Sequence, residues 1–209
     1  ARVAAIGVSE KPRPAEGSYM PCFLAGVNAA SAAACVHGVP LVRTTHQQGH
    51  VAAALYASGR WQLFGTPALV FHISGGTTDL LLCNGVTVQQ TLGTSLDLYA
   101  GQAVDRIGVP FPAGEHLSRL AAECPQQPRV KAVLKGMNCH LSGLENQCSA
   151  LLDKGYPPAY VAKYCLCTVG ETVFRMVEAA YAAGFRLPVV CAGGVMSSQI
   201  VRDYVTARL

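Results

Sequence analysis

Pro67-Ala-Leu-Val-Phe-His-Ile73, Ser74-Gly75-Gly76-Thr77-Thr78, Asp79-Leu-Leu-Leu-Cys83, Asn84-Gly85, Val86-Thr-Val-Gln-Gln-Thr91: this run decides the architecture. An apolar stretch of strand length ends in a glycine pair. A second apolar stretch follows, then Asn-Gly, the strongest short hairpin signal, then a third strand. The spacing predicts an antiparallel meander on two glycine turns. A glycine pair between strands also lets backbone amides approach an anion closely, with the Ser and Thr hydroxyls as further donors. The same residues make an ordinary hairpin turn, and the residues alone leave both readings open.

Upstream, residues 3–8 read as a short buried strand and residues 10–20 as a loop. An Ala-rich helix is expected over 24–37, stopped by Gly38 and Pro40. A strand over 41–44 and a helix opened by His46 and stopped at Gly59 complete the order strand, helix, strand, helix, which points to an α/β layer architecture. Downstream, residues 96–107 carry helical spacing, residues 108–114 are a Pro/Gly loop, and helices are expected over 115–123 and 158–183. A Val-rich strand over 187–192 ends in Gly193-Gly194, and a last helix is expected over 195–209. A lobe boundary near 108–116 would divide the chain into 1–107 and 108–209.

The chain has 209 residues, of which 51% are hydrophobic and only 13% charged. Globular domains average about 25% charged residues, so this chain is expected to bury surface against a partner, as a homo- or hetero-oligomer, or against parts of the protein missing from this sequence. No apolar run approaches the roughly 18 residues of a membrane span, and no signal-peptide pattern opens the sequence. Nine scattered cysteines, without a Cys-x-x-Cys pair, read as free thiols of a cytoplasmic protein. The net charge of +4 permits an RNA partner without indicating one, since no Lys/Arg run occurs.

Three further constellations carry chemistry. His46 and His50 stand at i and i+4 at a helix start, on one side, where they can share a metal ion or simply be exposed histidines. Gln47 occupies the place where a zincin protease has its general-base Glu, and an amide cannot take up a proton. Cys191-Ala-Gly193-Gly194-Val195 lies where a buried strand becomes a helix, the position at which open α/β folds bind ligands, or else a turn needed only for packing. Asp97, Gly101 and Asp105 recur every four residues, on one helical face that suits phosphate, metal or ribose, or is merely solvated.

Taken in order, these segments resemble the TsaD/Gcp family, the tRNA threonylcarbamoyl-adenosine synthesis proteins once labelled O-sialoglycoprotein endopeptidases. The likeness runs from about Val3 to Arg202. It implies the two-lobed, ribonuclease H-like α/β fold of the actin, Hsp70 and sugar-kinase group, in part. It implies iron or zinc on His46 and His50. It implies adenylate or ATP binding by Ile73, Ser74, Gly75, Gly76 and Thr77, by Asp105 on the ribose, and by Gly114, Gly193, Gly194 and Ser198. Gly101, Gln102 and Arg106 match the Gly, Glu and Lys of the family helix that carries Asp105. Ser142-Gly143-Leu144 resembles the family's Ser-Gly-Leu-Lys, with Glu145 for Lys. Thr77 stands for His, Gln102 for Glu and Ser198 for Asn. The Lys-to-Glu change reverses a charge, which beside an anion costs affinity. An opening strand of the family pattern would precede Ala1, and a closing segment with the third metal ligand would follow Leu209.

The resemblance implies a transferase that moves threonylcarbamoyl from its adenylate to N6 of an adenosine in tRNA, metal-assisted and working with partner proteins. The departures suit an alternative, a nucleotide-binding partner of the same family without catalysis. A metallopeptidase is disfavoured by Gln47. An ATPase or kinase of this fold would use Asp79 to position magnesium.

Overall fold

The computed structural model describes residues 2–107 and 113–209. They form two compact units, one of residues 2–66 with 84–88, the other of residues 67–83 with 89–107 and 113–209. The boundary expected near 108–116 falls inside the second unit, and the loop expected at 108–112 lies outside the described residues.

In the first unit, β1 (Ile6–Lys11) and β2 (Leu41–Thr45) pair in parallel, Ile6 against Leu41, with an irregularity between Ser9 and Lys11. Parallel neighbours need a crossover, and α1 (Pro21–His37) provides it. Pro21 starts α1 with its φ already helical and no N–H to satisfy. Gly38, at φ 62°, ends it in the left-handed conformation. The strand expected over 3–8 as buried is found three residues later and is mostly half-buried. Among the described residues β2 is its hydrogen-bonded neighbour in a two-stranded sheet.

Thr45 then opens α2 (His46–Ala57) with a capping box: its side chain accepts the Gln48 N–H, and the Gln48 side chain accepts the Thr45 N–H. Gln47, Val51 and Leu55 recur every four residues and are the buried stripe of this helix. Ser58-Gly59-Arg60 leads into a 3₁₀ turn, Trp61–Gly65.

The second unit is built on β3 (Pro67–Ile73), β4 (Thr78–Asn84), β5 (Thr87–Thr94) and β8 (Val189–Ala192), in the spatial order β5-β4-β3-β8. The meander is present as expected, although the second turn is centred on Gly85-Val86, one residue later. β8 pairs in parallel with β3, from Leu69 against Val189 to His72 against Ala192. β3 is buried from Ala68 to Ile73. Strands buried on both faces read as continuous apolar runs, which is why the run was legible.

Helices α3 (Ala100–Asp105), α4 (Ala113–Ala122), α5 (Gly143–Asp153), α6 (Pro158–Ala182) and α7 (Gln199–Thr206) complete the unit, with a hairpin of β6 (Val133–Lys135) and β7 (Asn138–His140). α6 is the central pillar: residues 165–173 are all buried, because α4, α5 and α7 pack around it. Gly170 lets α7 come close, since a Cβ there would lie 2.9 Å from the Tyr204 ring. Beside it the buried Glu171 accepts from Tyr204 Oη at 2.9 Å and from Arg175 Nε at 2.7 Å.

Three expectations are corrected. The helix expected over 96–107 shrinks to α3, because Asp97 accepts the N–H groups of Leu98 and Leu141 and the Ser142 hydroxyl, pinning 95–99 in a non-helical path. Asp97 therefore does not share a helical face with Gly101 and Asp105. The last helix is also interrupted: Gly194–Ser197 is a 3₁₀ turn, Ser198 is extended (φ −65°, ψ 120°), and α7 begins at Gln199.

Candidate nucleotide cavity and histidine pair

A cavity of about 760 Å³ opens in the second unit where the Ser74–Thr77 turn, α3, the start of α4 and the turn after β8 converge. Small-molecule sites typically span ~300–1,000 Å³. Ser74, Gly75, Asp105, Gly114, Gly194 and Ser198 all line it. Val104, Leu166 and Val195 give it an apolar wall, and Ser118, Ser197 and Gln199 add polar groups. Among the described residues the lining holds two carboxylates, Asp105 and Glu115, and no Lys or Arg.

Two glycines hold its walls together. A Cβ on Gly101 would sit 2.6 Å from the Gly75 nitrogen and 2.7 Å from the Ser74 carbonyl carbon. That absence lets α3 rest on the loop, and the Gly101 N–H donates to Ser74 O at 3.2 Å. Gly193, at φ 102°, would place a Cβ 2.2 Å from Ile73 O. No L side chain fits there, so the ends of β3 and β8 meet at this glycine.

Four other glycines behave differently. Gly75, Gly76, Gly114 and Gly194 have no positive φ, and a Cβ on any of them would meet nothing within 4 Å. Neither backbone conformation nor packing among the described residues requires glycine there. Three of the four line the cavity. Gly7, Gly49 and Gly65 are equally open, so what sets the three apart is that they converge on one cavity, where the missing side chains leave room for a ligand to approach the backbone.

The two ends of the cavity differ chemically. At one, the amides and hydroxyls of Ser74, Gly75 and Gly194 can donate. At the other, one helical turn along α3 from the Gly101 contact and thus about 6 Å away along the axis, Asp105 accepts the Ala113 N–H through Oδ1 at 3.3 Å. Ser118 bridges Gly114 O (2.7 Å) and Ser198 Oγ (2.9 Å), tying α4 to the junction before α7.

In the first unit, His46 Nε2 and His50 Nε2 lie 3.1 Å apart, the rings edge to face at a centroid distance of 4.5 Å, with Phe23 against His46. Two imidazole nitrogens bound at ~2.0–2.1 Å to one tetrahedral ion are about 3.3 Å apart, so the pair fits iron or zinc as two ligands. Partial burial, and then the neighbouring His46 charge, lower the His50 pKa below its ordinary value of 6.5. That favours the neutral ring a metal needs. Among the described residues no group of three or more His, Cys, Asp or Glu is placed to hold a metal. Gln47 turns inward and is buried, away from any general-base role.

Comparison with known proteins places these features in a family. The pattern of TsaD, tRNA N6-adenosine threonylcarbamoyltransferase, matches residues 1–208. The chain belongs to the TsaD family. A TsaD relative from Anaeromyxobacter dehalogenans strain 2CP-1 is 36% identical over 199 residues, covering 89% of this chain and 59% of that protein. One from Bacillus licheniformis is 31% identical over 214 residues, covering 96% and 60%. The chain thus spans about 60% of the length of the curated TsaD relatives it matches. Among solved structures, HypF of T. kodakarensis superimposes at TM-score 0.65 with 12% identity, over 89% of this chain and 35% of that one. Component A of the Acidaminococcus fermentans (R)-2-hydroxyglutaryl-CoA dehydratase gives 0.55 with 16% identity, over 83% and 62%. These likenesses show the fold, the α/β fold of the actin, Hsp70 and sugar-kinase group.

Within this TsaD-family chain the remaining expected site residues fall outside the cavity lining. Ile73 is buried at the end of β3, and Gly193 stands behind the wall on its carbonyl. Gly76 is exposed beside Gly75, its N–H on Ser74 Oγ at 3.3 Å. Thr77 is buried, and its carbonyl takes the Ser74 N–H at 2.8 Å, which fixes the turn. Glu145 is not in the lining; it stands on α5 at 3.9 Å from Arg106. Asp79 is buried and accepts the Thr94 hydroxyl at 2.7 Å, which makes it a strand-fixing group. Asp97 lines a separate cavity of about 260 Å³ with His140 and Ser142. Sequence reasoning missed Glu115, Ser118, Leu166 and Gln199 in the large cavity. Ser118 alone had a signal, standing one helical turn after Gly114.

No described helix is long and apolar enough to cross a membrane.

Proposed function

We propose that this chain is the nucleotide-binding part of a tRNA N6-adenosine threonylcarbamoyltransferase, and that the large cavity holds the adenylate of a threonylcarbamoyl-adenylate. The observation that carries the reading is the set of glycines at 75, 114 and 194, which no contact among the described residues requires and which all line one cavity. The amides and hydroxyls of Ser74, Gly75 and Gly194 take the phosphate. Asp105, an acceptor, takes a ribose hydroxyl. The apolar wall of Val104, Leu166 and Val195 receives the base. Among the described lining residues it is dipoles, the backbone amides and hydroxyls, that meet the phosphate.

In the reaction the N6 amine of an adenosine in tRNA attacks the carbamoyl carbon. The C–O bond to phosphate breaks, AMP leaves, and the amine proton passes to solvent. His46 and His50 are the two ligands this chain offers to an iron or zinc ion, with the remaining ligands supplied from elsewhere. Such an ion, when bound, supplies Lewis-acid polarisation of a carbonyl. A cytoplasmic setting and partner proteins belong to the same proposal.

A second reading, a nucleotide-binding partner without catalysis, is favoured by the departures Thr77, Gln102, Glu145 and Ser198 from the family pattern. Calorimetric titration with AMP tests the shared part. AMP is expected to bind, and Asp105→Ala to weaken it by about 10- to 150-fold, the loss of a charged hydrogen bond. Absence of AMP binding sinks both readings. Binding of AMP with no threonylcarbamoyl transfer by the full-length protein selects the second.

A further inference from the structure

The first unit carries an aromatic surface that neither the cavity nor the histidine pair uses. Tyr56, Trp61 and Phe64 are 67%, 58% and 38% exposed. The Trp61 and Phe64 rings stack at 5.7 Å and 19°, and Tyr56 meets Trp61 edge-on at 5.0 Å and 86°. The backbone beneath is fixed: the Gly85 N–H donates to Thr66 O at 3.2 Å, and a Cβ on Gly85 would lie 2.0 Å from Phe64 O. A cluster of exposed rings on a held backbone costs little ordering on binding.

Along the sequence the flanking charge is cationic: from Gly17 to Thr66 the first unit has no Asp or Glu, and it carries Arg43, paired with Glu10 at 3.5 Å, and Arg60. Arg60 is exposed, adjoins Trp61 and makes no ion pair among the described residues. Flat rings beside a cation, on an acid-free stretch, match a polyanion that presents unstacked flat bases.

The chemistry proposed above asks for such a contact. In a duplex, the N6 amino group of adenine is engaged in pairing. An acceptor adenosine must therefore lie in a single-stranded segment, whose neighbouring bases need faces on which to stack. Tyr56 stands six residues, about 9 Å of helix, beyond His50.

We propose that Tyr56, Trp61 and Phe64, with Arg60, form a stacking platform for unpaired bases of the RNA substrate. This rests on the tRNA reading and adds where the RNA touches the chain.

Trp61 is the single tryptophan, so its fluorescence reports directly. The protein is titrated with oligouridylate at low ionic strength, with duplex RNA as control, and affinity is measured independently by anisotropy of labelled oligouridylate. Oligouridylate is expected to quench Trp61 saturably and to bind more tightly than the duplex. Trp61→Ala is expected to weaken oligouridylate binding by about 5- to 150-fold, one stacked base, and Trp61→Phe to retain most of it. Absence of quenching assigns the surface to a protein contact and overturns the proposal. Equal affinity for Trp61→Ala, or for duplex, reduces the binding to phosphate attraction and also overturns it. AMP titration of the same samples separates the readings: AMP bound without RNA quenching removes the platform alone, and RNA quenching without AMP binding removes the adenylate cavity alone.

Discussion

Gly75 and Gly101 face each other across one contact, yet alanine at the two positions is expected to do opposite things. At Gly101 a Cβ would fall 2.6–2.7 Å from three backbone atoms of Ser74 and Gly75. That is about 1 Å inside the usual ~3.5–4.0 Å carbon contact, against backbone that has no rotamer to turn away. Overpacking of this kind costs about 1–3 kcal/mol, and for a chain of this size each kcal/mol lowers Tm by about 2–4 °C. At Gly75 a Cβ meets nothing within 4 Å and φ is not positive. Gly75→Ala is therefore expected to leave Tm unchanged or to raise it slightly, by the ~0.4–1 kcal/mol gained when the unfolded chain loses freedom. Its loss should appear only with ligand. AMP at a hundredfold over its Kd stabilises the wild type by about 2.7 kcal/mol, a rise of about 5–10 °C. A methyl group in the cradle is expected to remove most of that rise, and Gly101→Ala to lower both the baseline and the rise. Differential scanning fluorimetry with and without AMP reads all four numbers. A Gly75→Ala protein that keeps the full AMP shift would refute the reasoning, because the glycine would then serve no approaching ligand.

Tyr204→Phe deletes the phenol whose pKa burial and the Glu171 hydrogen bond push up to about 12. With a buried carboxylate losing its donor, thermal unfolding is expected to show a loss of about 1.5–3 kcal/mol, and an unchanged Tm would mean that Arg175 Nε at 2.7 Å and Arg208 Nε at 3.9 Å already satisfy Glu171. For the histidine pair, zinc affinity followed by competition with a chelator should decline as pH falls, with His50 keeping its share to lower pH than a free imidazole would, because partial burial and the His46 charge lower its pKa. The sign for stability is the same: the unfolded chain takes the proton first, so stability is full above 6.5 and decreases as pH falls through the window between 6.5 and the lowered folded value. His46→Ala and His50→Ala should each abolish the zinc binding that the pair supports.

Local chemistry was legible and distant partners were not. The run from Pro67 to Thr91 announced its strands because the turn glycines and the apolar stretches speak only of their immediate neighbours. His46 and His50 were paired correctly in the sense that one helical turn sets their separation. Asp97 misled, because what decides its place is the Leu141 N–H and the Ser142 hydroxyl, more than forty residues away. The β6–β7 hairpin and α5 were missed: the strands are three residues each, too short for a period to show. At the cavity the glycines were visible as glycines, but their division into two kinds was not. That Gly101 and Gly193 are demanded by Ser74 and Ile73, while Gly75, Gly114 and Gly194 are demanded by nothing among the described residues, depends on which segments fold against them.

The parallel pairing of β3 with β8 also orders events in time. Leu69 waits for Val189, and nearly all of the second unit is synthesised between them. At about 5–20 residues per second, a nascent chain spends roughly six to twenty-four seconds with β3 made and its β8 side open. Until β8 arrives, Gly193 has no Ile73 carbonyl to meet and the cavity has no third wall. No nucleotide can therefore template the early steps, and the apolar β3 edge is an invitation to other chains. Refolding is expected to be slow, as long-range strand pairing requires. Loss of material at this stage should depend on protein concentration and on whatever caps that edge, and not on AMP.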